Sequence, residues 1–153
     1  EFIYREIKPI GRSDALVLFA DDSSVARKQV QTTLERMGVK YVAAINGRQA
    51  WAELQKLAGY AESLGKPARE VLSLVLTDIE MPETDGYMLT KQIKSDPRFA
   101  GIPVLMHSSL SGMSNQQLGK SVGVDEYVSK FEPQHLAATI ARLLERAPVR
   151  AAA

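Results

Sequence analysis

The side chains best suited to chemistry in this chain stand at the ends of apolar runs. Asp21 and Asp22 follow the run Ala15 to Ala20, Asp78 follows Leu72 to Thr77, Ser108 and Ser109 follow Ile102 to His107, and Lys130 follows Glu126 to Val128. Acids, hydroxyls and an amine in this arrangement suit phosphoryl chemistry, in which negative charge must be neutralised and oxygens held in place. Carboxylates brought together repel one another, which raises their pKa values and destabilises the fold, so a positive partner is required. A hard divalent cation meets that need, and Mg2+ is content with one or two carboxylates, a carbonyl and waters. Asp21 and Asp22 would then hold the metal and Lys130 an oxygen of the transferring group. Asp78, alone at the end of its run, is the natural carboxylate nucleophile. Taken by itself, the Asp21-Asp22 pair could equally be turn or helix-capping carboxylates.

These residues meet only if the runs are strands that end on one side of a sheet. Each run is short, continuously apolar and followed by a helical pattern, as expected of strands buried on both faces. After Ser23 and Ser24, Ala26, Val30, Leu34 and Met37 recur at helical spacing until Gly38. Tyr41 to Ala44 reads as a second strand, and Asn46-Gly47 opens a helix carrying Ala50, Leu54, Leu57, Ala58 and Ala61. The turn Met81 to Gly86 follows the third strand and leads into a helix from about Tyr87 to Ser95, closed by Asp96-Pro97. Ser114 with Gln117 forms a capping box for a short helix ending near Gly123. Pro133 starts a last amphipathic helix with Leu136, Ile140, Leu143, Leu144 and Ala147 on one stripe. Five βα units of this kind predict an α/β fold: a doubly wound, flavodoxin-like, five-stranded parallel sheet in the order 2-1-3-4-5. In such a sheet all strand C-termini open on one edge, and the chemical residues converge there.

Composition narrows the function classes. The 153 residues fit one globular domain, with 45% hydrophobic and 24% charged residues, the balance of a chain that can bury a core. The formal net charge of +1 gives no global argument for nucleic acid or an anionic membrane. The absence of cysteine excludes disulfide scaffolds, thiolate metal sites and cysteine nucleophiles. No apolar run approaches the roughly 18 residues of a spanning helix, and no signal pattern opens the chain, so a cytoplasmic location is expected. Residues 1–14 read as a linker or tail, 15–147 as the folded domain and 148–153 as a disordered tail. His107 and His135 lack a second ligand at metal spacing and read as structural. Trp51 reads as cover for a helix–sheet interface.

Four stretches carry a resemblance. Val17 to Ser23, Leu76 to Pro82 with Asp85-Gly86, Ile102 to Ser109 and Tyr127 to Lys130 resemble the motifs of two-component response-regulator receiver domains (the CheY-like fold). The resemblance implies Asp78 as phosphoacceptor, Asp22 as direct Mg2+ ligand with Asp21 acting through water, and the backbone carbonyl of Glu80 as a further ligand. It implies Ser108 as the switch hydroxyl, Lys130 as the phosphoryl-binding lysine and Tyr127 as the aromatic rotamer switch. Phe19 to Arg27, Asn46-Gly47 and Thr77 to Tyr87 are similar to the C-terminal receiver of CheV-type chemotaxis coupling proteins, which follows a CheW-like domain. The implied function is acceptance of a phosphoryl group from the histidine kinase CheA, either to switch receptor–kinase coupling or to serve as a phosphate sink. The chain would act on no substrate beyond its own phosphorylation and dephosphorylation, and would bind neither nucleic acid nor membrane. The CheW-like domain, and with it contact to the chemoreceptor array, would lie outside this chain.

Departures from the family pattern set further expectations. Receivers usually follow the lysine with a proline in a cis peptide, whereas Lys130 is followed by Phe131, and a cis bond before any other residue costs roughly 2.5–4 kcal/mol. The segment from about Gly59 to Val71 is about a dozen residues longer than a compact receiver needs, which predicts a lengthened second helix and loop. Glu80 and Leu110 occupy positions that influence access of the hydrolytic water. The sequence leaves two rivals open: a pseudo-receiver that binds partners without phosphorylation, and a Mg2+-dependent, Toprim-like phosphohydrolase.

Overall fold

The structure, a computed structural model, describes residues 7, 9, 14–109 and 120–146. The expected helix start at Ser114, Leu110, the tail 148–153 and most of the segment 1–14 lie outside the described residues. Strands β1 (Leu16–Ala20), β2 (Lys40–Ala44), β3 (Leu74–Asp78), β4 (Val104–Ser108) and β5 (Glu126–Ser129) form one parallel sheet in the order β2-β1-β3-β4-β5. This is the predicted fold. Helices α1 (Ser24–Met37), α2 (Gly47–Ser63), α3 (Gly86–Ser95) and α4 (Pro133–Arg146) cover it.

Alternation along each strand divides the core between the two faces. Val17 and Phe19 of β1 point to the side that buries Val30 and Leu34 of α1 and Ile140 and Leu143 of α4. Leu18 and Ala20 point to the side that buries Leu54 of α2 and Leu89 and Ile93 of α3. Each fully buried Leu, Ile or Phe contributes about 1.5–3 kcal/mol, so the strand interiors have little freedom to slip.

Helix starts and stops follow their capping residues. Ser23 accepts a hydrogen bond from the Ala26 N–H at 3.2 Å, Asn46 from Gln49 at 2.8 Å and Asp85 from Met88 at 2.9 Å. Gly38 ends α1 in the left-handed conformation with φ 73°, its N–H on the carbonyls of Leu34 and Glu35. Helix α2 continues through Gly59 to Ser63, and a 3-10 turn at Ala68–Glu70 leads into β3, which accounts for the long segment from Gly59 to Val71. Trp51 of α2 is half-buried and meets Phe99 edge-on, with ring centroids 5.7 Å apart.

One residue of the segment expected to be a tail belongs to the core. Ile7 is buried against the group that includes Ala15, Met37 and Val39, and Pro9 lies beside Gly38. Among the described residues, no helix is long and apolar enough to cross a membrane.

Candidate functional site: an acidic pocket at the C-terminal edge of the sheet

Parallel strands deliver Asp21, Asp78, Ser108 and Lys130 to one edge, as expected. Asp21 is buried at the end of β1, where its N–H donates to the Ala44 carbonyl of β2 at 3.1 Å. Its carboxylate Oδ1 accepts from the Ser23 N–H at 2.9 Å, which turns the group inward at the start of α1. The Arg27 guanidinium donates to the Asp21 carbonyl at 2.7 Å and closes that turn from outside. Asp78 ends β3, buried, and its Oδ1 accepts from the Ile79 N–H at 2.9 Å.

Lys130 reaches both acids. Its N–H donates to the Ser108 carbonyl at 2.8 Å, extending the β4–β5 pairing by one step. Its side chain, only 8% exposed, places Nζ 3.0 Å from Asp21 Oδ2 and 3.2 Å from Asp78 Oδ1. The approach to Asp21 Oδ2 is a charge contact rather than a directed hydrogen bond, and that buried oxygen accepts none.

The electrostatics follow from this crowding. Burial, and then the charge of Asp21, push the Asp78 carboxyl up to about 6, against the lowering influence of Lys130 and the Ile79 N–H. Burial alone would depress the Lys130 ammonium, but its contacts with Asp21 and Asp78 hold it above its ordinary value. His107, beside Asp78 in the β3–β4 register, is pushed down to about 3 by burial and secondarily by Lys130, so it is neutral near pH 7. Its ring borders a small cavity lined by Gln29, Thr33 and Leu136, on the α1–α4 side of the sheet. His135 is exposed at the start of α4, where its carbonyl accepts from Thr139 Oγ1 at 2.9 Å.

The loop after β3 is closed by glycine. Gly86 donates to the Ile79 carbonyl at 2.8 Å, and a Cβ at Gly86 would overlap the Asp78 carbonyl oxygen. A Cβ at Gly47 would overlap the Thr84 carbonyl, so the start of α2 is pressed against the same loop. Glu80 is exposed in this loop.

The second rim of the pocket is aromatic. Ser108 is fully buried at the end of β4, and its side chain shares a hydrogen bond with the half-buried phenol of Tyr127 on β5. Burial raises the Tyr127 phenol above its ordinary value, as it does Tyr87, which also feels Tyr127, Asp85 and Glu80. Ser109 is exposed beyond the strand. Tyr87, in the first turn of α3, is a pocket neighbour that the sequence pattern does not single out; its signal is an aromatic directly after the cap and glycine Asp85-Gly86.

Asp22 is exposed at the mouth. One oxygen each from Asp21, Asp22 and Asp78 lies within 4.8 Å of the others. An all-oxygen donor set, a buried oxygen without a hydrogen bond and one lysine facing three carboxylates fit a hard divalent cation such as Mg2+. The bond between Lys130 and Phe131 is trans, since no cis peptide occurs among the described residues, and Phe131 instead takes a left-handed backbone with φ 67°.

This set of residues on this strand order agrees with what the sequence matches. Residues 17–141 fit the family model of the response regulator receiver domain. The chain belongs to that family. This receiver domain is 35% identical over 137 residues to the chemotaxis protein CheV1 of Helicobacter pylori, a match covering 88% of the chain and 40% of CheV1. It is 33% identical to CheV3 of the same organism, over 88% of the chain and 42% of that protein. The receiver thus spans about two fifths of the length of these relatives. Among solved structures, the Vibrio cholerae chemotaxis protein CheY4 superposes with a TM-score of 0.71 at 30% identity, covering 84% of this chain and 98% of that one. Chemotaxis proteins are thus among the relatives to which this receiver is similar.

Proposed function

We propose that this receiver accepts a phosphoryl group on Asp78 from the phosphohistidine of a CheA-type kinase, at a site completed by Mg2+. The observation that carries the reading is the Lys130 ammonium lodged between the carboxylates of Asp21 and Asp78 beside the exposed Asp22. Bound Mg2+ would be held by Asp21, Asp22, Asp78 and the Glu80 carbonyl, and would supply neutralisation of the phosphoryl oxygens.

The chain's own residues do the rest. Among the described residues, the contacts to the Asp78 carboxylate fall on Oδ1, which leaves Oδ2 to attack phosphorus. The new O–P bond forms as the N–P bond of the phosphohistidine breaks; its electron pair stays on that nitrogen, and because the other ring nitrogen of the phosphohistidine carries a proton the ring leaves as neutral imidazole. Lys130 and the Ser108 hydroxyl take phosphoryl oxygens. Ser108 then exchanges its hydrogen bond with Tyr127 for one to the phosphoryl group, and the β5 surface is remodelled. The left-handed turn at Phe131 leaves Lys130 in the pocket without a proline, so its absence gives no ground for a phosphorylation-independent reading. In a CheV-like protein, residues 1–14 would link a CheW-like domain to the receiver at 15–147, with 148–153 as a tail, and the output would be altered receptor–kinase coupling or a phosphate sink.

Intact-mass measurement after incubation with acetyl phosphate and Mg2+ tests this. One phosphoryl group is expected on the wild type and none on Asp78→Asn. An unmodified wild type, or an equally modified variant, overturns the reading.

A further inference from the structure

We propose that the left-handed backbone of Phe131 aims Lys130 into the pocket, which makes residue 131 a positioning residue for phosphoryl transfer; the inference rests on the function proposed above. Phe131 combines φ 67° with a side chain that is 57% exposed. A residue bearing Cβ rarely adopts this conformation, and phenylalanine lacks the short polar side chain that lets Asn or Asp tolerate it. Burial of the ring does not compensate, because most of the ring faces solvent. The conformation is therefore imposed from both sides.

On one side, Lys130 is tied to β4 by its N–H and its ammonium sits between two carboxylates. On the other, Pro133 begins α4 and the Leu136 N–H already donates to the Glu132 carbonyl at 2.9 Å. Only Phe131 and Glu132 remain to turn the chain from the sheet edge onto the α1 face. The second non-glycine residue with positive φ among those described, Glu83 at 67°, lies in the loop after Asp78. If residue 131 returned to an ordinary conformation, either α4 or Lys130 would have to move. Helix α4 is fixed by the buried side chains of Leu136, Ile140, Leu143 and Leu144, whereas the Lys130 ammonium is held by its contacts with two carboxylates. Lys130 would swing out.

The test is a series at one position: Phe131→Gly, Phe131→Val and Phe131→Ile, each checked for folding by circular dichroism. Initial rates of phosphorylation by acetyl phosphate with Mg2+ should follow tolerance for positive φ. Glycine should match or exceed the wild-type rate without lowering Tm, whereas valine and isoleucine should slow it about tenfold to a hundredfold. In a Lys130→Ala background the series should be flat, which a purely structural role would not produce. The slowly exchanging ammonium signal expected of the buried Lys130 in NMR, which requires no phosphoryl transfer, should persist in Phe131→Gly and vanish in Phe131→Ile. Equal loss in Phe131→Gly and Phe131→Val, or wild-type rates and an intact ammonium signal in Phe131→Ile, overturns the inference. A wild type that takes no phosphoryl group while its ammonium signal still tracks the series sinks the function proposed above and leaves the positioning role standing.

Discussion

Asp78 is the residue at which the pocket's function and the fold's stability conflict. Its raised pKa of about 6 means that the folded chain binds a proton there more readily than the unfolded chain does. As pH falls from neutrality through about 6 toward 4, protonation of Asp78 adds stability; above that window its buried charge is a liability. In metal-free protein held in EDTA, Asp78→Asn should therefore be more stable than wild type at pH 7.5, by about 1–3 kcal/mol. That advantage should shrink steadily toward pH 4 in urea melts, and a difference that does not change with pH would contradict it. His107 runs with the opposite sign: its folded value of about 3 makes stability fall as pH drops below 6.5. Both proteins carry His107, so its contribution cancels in the comparison. The carboxylates were readable in the sequence because an acid that ends a continuous apolar run marks the point where a buried strand reaches the sheet edge. Tyr87 was not, because an aromatic in the first turn of a helix has the same sequence signature whether it faces a pocket or a neighbouring helix.

Among the elements, α3 and α2 meet opposite demands from their glycines. Gly86 starts α3 against the Asp78 carbonyl, so Gly86→Ala must push the loop away from the phosphoacceptor strand. It should cost about 1–3 kcal/mol in urea unfolding and slow phosphorylation by acetyl phosphate as well. Gly59 of α2 is exposed, and a Cβ there would meet nothing within 4 Å. Gly59→Ala should stabilise the protein by about 0.5–1 kcal/mol and leave phosphorylation unchanged. The five strands and their order were legible because continuous burial on both faces leaves an unbroken apolar run. The length of α2 was legible as well: Ala61 carries the helical face past Gly59, and Leu54, Ala58 and Ala61 pack on the sheet on either side of it. The turn at Phe131 was illegible, since a left-handed phenylalanine is set by what its neighbours must reach and not by its own preference.

At the scale of the molecule, chemistry collects at one edge of the sheet, while Ile7 is buried with Met37 and Val39 near the opposite edge. Another cleft near that edge, of about 450 Å3 between the end of α2 and Arg98, lies away from the carboxylates. Ile7→Ala should cost about 2 kcal/mol or more and lower Tm by several degrees in a thermal melt, although residue 7 precedes the region that matches the family. Ile7 stands in a charged stretch with Pro9 and Gly11 and no sustained period, which is why the sequence alone reads it as linker. The burial of Ile7 also shortens the leash on anything joined ahead of it. The residues between Ile7 and Asp14 would have added about 25 Å of reach if free. With Ile7 fixed, anything joined ahead of it would be confined to a smaller volume around this edge of the sheet and held there at a higher effective concentration.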